Sequence, residues 1–239
     1  QSARAVMGRA DALTCVSQDM VKQYQTVFKN APHLCVYNIV SDDASALRMQ
    51  EALDHPWLLS KDVPVVVAAG RLAPWKGFAD LIDAIALVCA QRAVRLLILG
   101  DGPLRPDLQQ RIAHHGLEHA MELVGYVENP LKYFAHADIF ALSSHVEGLP
   151  NVLVEAMMCG CTPVATDCPT GPREVLDDGR FGYLVKPRDP RAIADGILKA
   201  LDCRIHPEQL AAAVRPFEEN AVIARHFALL GLSEHNHTA

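Results

Sequence analysis

Residues 143–160 read Ser-Ser-His-Val-Glu-Gly-Leu-Pro-Asn-Val-Leu-Val-Glu-Ala-Met-Met-Cys-Gly, a sequence typical of a strand-to-helix connection. The apolar run before it, residues 137–142, predicts a short buried strand. Apolar residues recur at helical spacing after it, Pro150 suits the first helical turn, and Gly160 predicts the helix end. Glu147 is therefore expected in a tight strand-to-helix loop, with Glu155 about one turn inside the helix.

Two carboxylates on either side of a helix start suggest a binding site. A helix start offers free N–H groups and a partial positive charge, which together suit an anion such as a phosphate. The flanking carboxylates could hold hydroxyl groups, one on a sugar ring and the other on a ribose. Taken alone, the pattern also fits a loop and an amphipathic helix on which Glu155 is a solvated charge.

The string Glu-Gly-Leu-Pro-Asn, residues 147–151, followed by Glu155, resembles the signature of the retaining glycosyltransferases of family 4, also called group 1. The resemblance implies that Glu147 positions the hydroxyls of the donor sugar and that Glu155 holds the ribose. It also implies that the residues between them contact the donor: Gly148, Leu149, Pro150 and Asn151.

The composition is that of an ordinary α/β protein. The chain has 239 residues, half of them hydrophobic, and a net charge of −6, which gives no electrostatic footprint for nucleic acid. No apolar run reaches transmembrane length, and the first residues do not resemble a signal peptide. The seven cysteines form no Cys-x-x-Cys pair, so we expect reduced core thiols in a cytosolic protein.

Strand and helix patterns alternate along the chain. They predict an α/β fold with a Rossmann-like, doubly wound parallel sheet of about six strands and helices on both faces. A first strand is predicted at residues 10–17, a helix capped near Ser17 at residues 18–28, and a second extended run at residues 34–40. The strands of the sheet are predicted at residues 63–69, 95–99, 121–124, 137–142, 162–167 and 181–185. The main helices are predicted at residues 78–90, 104–115, 190–201, 207–214 and 217–230. The apolar face of the first of these helices is predicted to consist of Phe78, Leu81, Ile82, Ile85 and Val88 or Cys89.

The loop after the first strand of the sheet reads Gly-Arg-Leu-Ala-Pro-Trp-Lys-Gly, residues 70–77. Loops at the carboxyl ends of parallel strands form the ligand crevice, so Arg71 and Lys76 are predicted at the binding edge. Either residue alone also fits a plain surface charge. The whole string resembles the diphosphate-binding loop of the family, which implies that Gly70 contacts the donor and that Arg71 and Lys76 stabilise the departing diphosphate.

Two further loops follow strands. Residues 100–103, Gly-Asp-Gly-Pro, invite a dinucleotide interpretation, but Arg105 occupies the third glycine position, and the phrase also resembles the family. After the third strand, the resemblance implies that Tyr126 and Val127 lie along the nucleotide base, although Tyr126 alone also fits a plain loop. Residues 167–174, Asp-Cys-Pro-Thr-Gly-Pro-Arg-Glu, resemble bacterial members that build lipid-linked and surface polysaccharides.

The resemblance implies the C-terminal, donor-binding half of a GT-B fold. Residues 1–40 are expected to be a remnant of the N-terminal acceptor domain and its linker, residues 41–216 the nucleotide-sugar-binding domain, and residues 217–232 a crossover helix. Residues 233–239 are predicted to be a disordered tail. Without the rest of the first domain, residues 1–40 are expected either to pack on the donor domain in a position that differs from the family's or to mediate self-association.

By resemblance, the reaction moves a sugar from a nucleotide diphosphate sugar, with UDP favoured, to a glycan or lipid-linked acceptor with retention. This chain is expected to be inactive alone and to lie in the cytoplasm, reaching the inner face of the membrane through the missing domain. No Asp-x-Asp pair follows a strand, so no metal or other cofactor is expected. Two alternatives stay open, namely a nucleotide-sugar epimerase on the same fold and a non-catalytic nucleotide-binding module.

Overall fold

The structure is a computed structural model that describes residues 7, 9–29, 32–229 and 231. The chain begins with a small unit, residues 9–40, that contains β1 (Leu13–Cys15), α1 (Gln18–Val27) and β2 (His33–Cys35). The two strands pair in parallel over three residues each, so both are shorter than predicted. The predicted cap of α1 is confirmed, because the Ser17 hydroxyl accepts a hydrogen bond from the amide of Met20 at 3.2 Å.

The main body is built on a six-stranded sheet. Its strands are β3 (Val65–Ala69), β4 (Arg95–Leu99), β5 (Met121–Gly125), β6 (Ile139–Leu142), β7 (Thr162–Thr166) and β8 (Tyr183–Val185). They lie in the order β5-β4-β3-β6-β7-β8, and every neighbouring pair is parallel. The predicted α/β fold with a doubly wound, six-stranded parallel sheet is confirmed. The strand order reverses between β3 and β6, where this architecture places its ligand crevice.

Ten further helices connect and cover the strands in the described part of the chain. They are α2 (Ser45–Met49), α3 (Pro56–Ser60), α4 (Phe78–Cys89), α5 (Arg105–His115), α6 (Leu131–Phe134), α7 (Asn151–Met158), α8 (Pro172–Val175), α9 (Pro190–Asp202), α10 (Pro207–Val214) and α11 (Glu219–Leu229). The sequence did not predict α2 or α3, because a helix of five residues is too short to show a hydrophobic period. None of the described helices is long and apolar enough to cross a membrane.

Both faces of the sheet are buried. Side chains alternate along β4, so that Leu97 and Leu99 pack in one core while Leu96 and Ile98 pack in the other. The apolar face predicted for α4 is confirmed, since its members are all buried in the second core: Phe78, Leu81, Ile82, Ile85 and Val88. All seven cysteines are free thiols, as predicted, but Cys203 is exposed and is therefore not a core thiol.

Two helix starts differ from the prediction. Pro150 is the N-cap residue of α7 and not part of its first turn, since its ψ of 84° is not helical. The last helix begins at Glu219 and not at Phe217, because Phe217 ends a short 3₁₀ turn and Glu218 is extended. That extended residue pairs with Ser41 in a parallel bridge.

The small unit is joined to the main body at a paired crossing, formed by residues 40–41 and 217–219. The amide of Val40 donates to the carbonyl of Phe217 at 2.9 Å, and the amide of Glu219 donates to the carbonyl of Ser41 at 3.0 Å. The Tyr37 ring lies 4.7 Å from the Phe217 ring. The described residues of 1–40 therefore pack on the main body. Self-association stays a prediction. The predicted tail at 233–239 lies outside the described residues.

Candidate functional site

A cleft of about 340 Å³ opens at the carboxyl ends of β3, β4 and β5. It lies beside the point where the strand order reverses, and the loops after these strands form its walls. Val152, in the first turn of α7, closes one side. The three loops supply seven further lining residues: Gly70, Arg71, Gly100, Asp101, Tyr126, Val127 and Pro130. Donor contacts were predicted for Gly70, Arg71, Tyr126 and Val127.

Glycines let the first two loops meet closely behind the cleft. Gly100 has a φ of +135°, and a Cβ placed there would lie 2.0 Å from the carbonyl oxygen of Gly70. A Cβ at Gly102 would lie 2.6 Å from the carbonyl oxygen of Leu72. These two glycines therefore serve the packing of one loop on the other, which accounts for the Gly-Asp-Gly string without a dinucleotide.

Two cations face this edge in different ways. Arg71 is exposed and lines the cleft. Lys76 is largely buried and donates from Nζ to Oε1 of Glu147 at 2.6 Å, and the side chains of the two residues are 18% and 10% exposed. The Ser144 hydroxyl donates to the same oxygen at 2.6 Å, so neither bond uses Oε2 of Glu147. The sequence placed Lys76 and Glu147 at one site but did not predict this ion pair.

The loop that carries Glu147 is fastened to the turn that carries Lys76. The Ser143 hydroxyl donates to the carbonyl of Lys76 at 2.9 Å, and the His145 amide donates to the carbonyl of Trp75 at 2.8 Å. The His145 ring also meets Asp80 Oδ2 at 2.7 Å through Nε2. The signal for these contacts is the polar Ser-Ser-His run at residues 143–145, for which no role was predicted.

A second set of bonds fixes the far side of the same loop. The amide of Glu147 donates to the carbonyl of Pro169 at 2.8 Å, and the Thr170 hydroxyl donates to the carbonyl of Gly148 at 2.8 Å. A Cβ at Gly171 would lie 2.7 Å from the carbonyl oxygen of Gly148 and equally close to Cδ of Pro150. The loop from Glu147 to Pro150 is therefore held between the loops after β3 and β7.

Glu155 is half-buried on α7, one turn beyond the helix start, so it is not a solvated charge. Burial raises the pKa of the Glu155 carboxyl, and the nearby Arg48 charge acts in the opposite direction. Arg48 is itself paired with Asp42 at 2.7 Å. A carboxylate kept partly dry in this way is suited to hydrogen bonding with hydroxyl groups.

The remaining predicted donor contacts divide into two groups. Tyr126 is 81% exposed at the rim of the cleft, with Val127 beside it, as a wall for a flat ring requires. Leu149 is buried in the core. Oδ1 of Asn151 accepts a hydrogen bond from the side-chain amide of Asn38 at 3.0 Å. These last two residues hold the loop and the small unit in place within the described structure.

Sequence reasoning missed Glu174, the last residue of the string it quoted at 167–174. This carboxylate accepts hydrogen bonds from the amide of Gln18 and from the hydroxyl of Tyr37, the latter at 2.6 Å. It therefore joins the small unit to the loop after β7. Within residues 9–29 and 32–229, no three His, Cys, Asp or Glu side chains are grouped so that they could hold a metal ion.

Comparisons with known proteins agree with this geometry. The sequence profile described as "Glycosyl transferases group 1" matches residues 49–216. The chain is 32% identical over 196 residues to the Campylobacter jejuni N-acetylgalactosamine-N,N'-diacetylbacillosaminyl-diphospho-undecaprenol 4-alpha-N-acetylgalactosaminyltransferase, covering 81% of this chain and 52% of that protein. It is 38% identical over 120 residues to the amylovoran biosynthesis glycosyltransferase AmsD of Erwinia amylovora, covering 50% of this chain and 33% of that one.

Solved structures show the same fold. The crystal structure of Anabaena Alr3699/HepE in complex with UDP and glucose has a TM-score of 0.79 at 24% identity, covering 96% of this chain and 65% of that one. The Staphylococcus aureus TarM structure with UDP has the same TM-score at 20% identity, covering 95% and 45%. The chain spans about half the length of the curated relative from Campylobacter and a third of the one from Erwinia. The match of the family profile to most of its residues shows that the chain belongs to the group 1 glycosyltransferases.

Proposed function

We propose that this chain binds the nucleotide diphosphate sugar, with UDP as the nucleotide, for a retaining glycosyl transfer. The observation that carries the proposal is the pair formed by Lys76 and Glu147 beside a cleft that Arg71 lines. Arg71 and Val152, in the first turn of α7, line the cleft, while Lys76 lies in the same loop as Arg71 and Glu147 lies in the loop that leads into α7. That combination suits a diphosphate joined to a nucleoside.

The diphosphate is proposed to lie between Arg71 and Lys76. Negative charge grows on this group as the bond to the sugar breaks, and fixed cationic donors stabilise such charge best where water is excluded. Lys76 is largely buried, so its charge is little screened. Its ammonium has three donor positions, of which Glu147 takes one, so it can serve a phosphate oxygen at the same time.

Glu147 is proposed to hold the hydroxyls of the sugar through Oε2 and not to attack the anomeric carbon. Its other oxygen already accepts from Lys76 and Ser144. A retaining hydrolase instead carries a second carboxylate about 5 Å away across the bond. We infer that the bond from the anomeric carbon to the diphosphate breaks, that the acceptor oxygen bonds on the same face, and that the acceptor proton passes to the diphosphate.

The nucleoside end is proposed to lie in the cleft of the main body. Tyr126 and Val127 then line the base, and the backbone at Gly70 and Gly148 approaches the donor. Glu155 is proposed to bind the ribose, since its partly dry carboxylate lies one turn beyond the helix start. No metal ion is needed in this proposal, because Arg71 and Lys76 supply the positive charge.

The acceptor is proposed to be a glycan or a lipid-linked glycan. The names of relatives support this, because the Campylobacter protein is named for a diphospho-undecaprenol acceptor and the Erwinia protein for a polysaccharide. The family profile matches residues 49–216, which lie within the segment proposed to bind the donor, residues 41–216. Acceptor binding is assigned to the further length that the relatives have, so the chain alone is expected to be inactive and the whole protein to act in the cytoplasm at the inner membrane face.

Isothermal titration of the chain with UDP, GDP, ADP and free uridine tests the proposal. UDP is expected to bind most tightly, and uridine far more weakly, because the two cations act on the diphosphate. Absence of heat with all three diphosphates at millimolar concentration would refute nucleotide binding. Equal affinity for UDP and uridine would show that Arg71 and Lys76 are not phosphate ligands.

A further inference from the structure

The contact between Glu174 and α1 is unusually complete for a surface carboxylate. The amide of Gln18 lies 2.9 Å from each of the two carboxylate oxygens, and the amide of Asp19 lies 3.3 Å from Oε2. The Tyr37 hydroxyl adds a third donor at 2.6 Å. Glu174 thus satisfies the first N–H groups of α1 from outside the helix, where a negative charge is also favoured by the helix dipole.

The first turn of α1 is held directly against the loop that carries Glu147. The Met20 sulfur lies 3.8 Å from the position that a Cβ on Gly148 would take. Asp19 Oδ2 lies 3.5 Å from the amide of Gly171, whose backbone packs on Gly148. The turn therefore lies next to Glu147, at the end of the site where the proposed function places the sugar.

The nucleoside end of the site has no such neighbour in the described structure. The residues that line the 340 Å³ cleft come from the loops after β3, β4 and β5 and from α7, and none of them belongs to the small unit. The two ends of the donor therefore meet different parts of the chain. The nucleoside meets only the main body, whereas the sugar lies between the main body and α1.

We infer that Glu174 is a positioning residue, which holds the first turn of α1 over the Glu147 loop so that this turn walls the sugar end of the donor site. The inference rests on the proposed function. It adds a role for residues 9–40, since their first helix contributes to recognition of the sugar but not of the nucleotide. Release of α1 therefore weakens binding of a UDP-sugar and leaves binding of UDP as it was.

The Glu174→Gln variant removes the charge but keeps the size of the side chain. An amide can accept at one oxygen only, and its NH₂ group opposes the N–H groups of Gln18 and Asp19. A bond to a charged group is lost, so the contact is expected to fail. The Tyr37→Phe variant is the milder test, because it removes only the phenol donor and leaves the ring on Phe217.

The experiment titrates UDP, UDP-glucose and UDP-N-acetylglucosamine into the wild-type chain and both variants. For the UDP-sugar that the wild-type chain binds best, Glu174→Gln is expected to raise Kd about tenfold, and Tyr37→Phe about threefold. Kd for UDP is expected to change less than about twofold in both. Glu208→Gln is the matched control, since its side chain is 90% exposed on α10 and lies outside the site.

Hydrogen exchange supplies a second measurement that does not depend on a ligand. Amides 18–20 are expected to exchange faster in Glu174→Gln, with the strands of the main sheet unchanged. Equal weakening of UDP and UDP-sugar, or no change in either, overturns the inference whatever the exchange shows. A wild-type chain that binds no UDP contradicts the proposed function itself, so this outcome is distinguished from failure of the inference.

Discussion

The two halves of the strand-end edge differ in how their side chains are held. After β3, β4 and β5, the cleft has an exposed arginine and an exposed tyrosine, Arg71 and Tyr126, on a backbone of closely packed glycines. The other half consists of the loop from Ser143 to Pro150, after β6, and the turn at residues 75–77 to which this loop is bonded on one side, while Thr170 holds it on the other. One half is open, and the other is bonded before any ligand arrives.

The difference follows from what each half is proposed to hold. A flat base needs a wall and a few backbone groups, which side chains can supply after the ligand has bound. A diphosphate that gains charge during the reaction needs donors already in position, because moving them at that moment would cost the energy they are meant to supply. The buried Lys76 and Glu147 pair is therefore the part that the surrounding bonds keep in place.

Gly77 gives the strongest test of the bonded half. A Cβ there would lie 2.1 Å from the carbonyl oxygen of Ser143, and its φ of +64° is costly for alanine. Gly77→Ala is expected to lower the free energy of unfolding by about 3 kcal/mol. Gly116→Ala, with a φ of +66° and open space around it, should cost only about 1 kcal/mol. Urea unfolding measures both, and equal losses would contradict the close approach of the two loops.

Lys76→Met tests the charge that this half holds. Loss of a charged hydrogen bond costs roughly 1.5–3 kcal/mol, so UDP should bind about 10- to 100-fold more weakly while uridine is unaffected. Calorimetry with both ligands measures this difference, and Lys199→Met, on an exposed position of α9, is the control. Weakening of uridine and UDP by the same factor would place Lys76 away from the phosphates.

Glu155→Gln tests the boundary between the halves. UDP should bind about tenfold more weakly, because an amide is a poorer partner for the ribose hydroxyls than a carboxylate. In the absence of ligand, the substitution is expected to raise the free energy of unfolding at neutral pH. Burial raises the pKa of Glu155 in the folded chain, so the wild type loses stability as pH rises above the ordinary value of 4.5, and the variant does not.

The ligand-free part of this prediction is checked by measuring unfolding of both chains between pH 4 and pH 7. The free energy of unfolding of Glu155→Gln should exceed that of the wild type at pH 7, and the gap should shrink toward pH 4. A gap that stays constant across this range would show that the Glu155 carboxyl titrates normally. That result would remove the argument that the carboxylate is partly dry.

Tyr126→Ala gives the smallest expected effect, in the open half. Stacking of a base on an aromatic ring contributes about 1 kcal/mol or more to the free energy of binding. UDP should therefore bind about fivefold more weakly to the variant. The side chain is 81% exposed, and the free energy of unfolding should change by less than about 0.5 kcal/mol. Tyr126→Phe, which keeps the ring, should bind UDP like the wild type if stacking is the cause.

The sequence predicted the fold well where apolar residues are periodic. β4 and α10 have the bounds that the pattern indicated, at 95–99 and 207–214. It also brought Arg71, Lys76 and Glu147 to one edge, because the carboxyl ends of parallel strands meet there. It could not predict which side chains pair, since Lys76 and Glu147 are 71 positions apart and nothing local fixes the height of one loop against another.

The role of Glu174 was out of reach for the same reason. Its partner amide, Gln18, lies 156 positions away, in a segment that the sequence assigned to another domain. Ser17 was different, because a helix cap needs only a hydroxyl next to the first periodic residue. Contacts between neighbours in sequence were therefore predictable from residue types, whereas contacts between separate units needed the folded chain.

The paired crossing at residues 40–41 and 217–219 has a mechanical consequence. The chain passes between the small unit and the main body at two places, and backbone bonds join them side by side. Arg225, on α11, donates to the carbonyl of Cys35, so the last described helix is also bonded to the small unit. Two chain segments bonded side by side resist rotation of the small unit about the crossing, but they permit bending about a single axis. Glu174 holds the start of α1. When this contact is broken, we expect the small unit to move toward or away from the sugar end of the site without rotating.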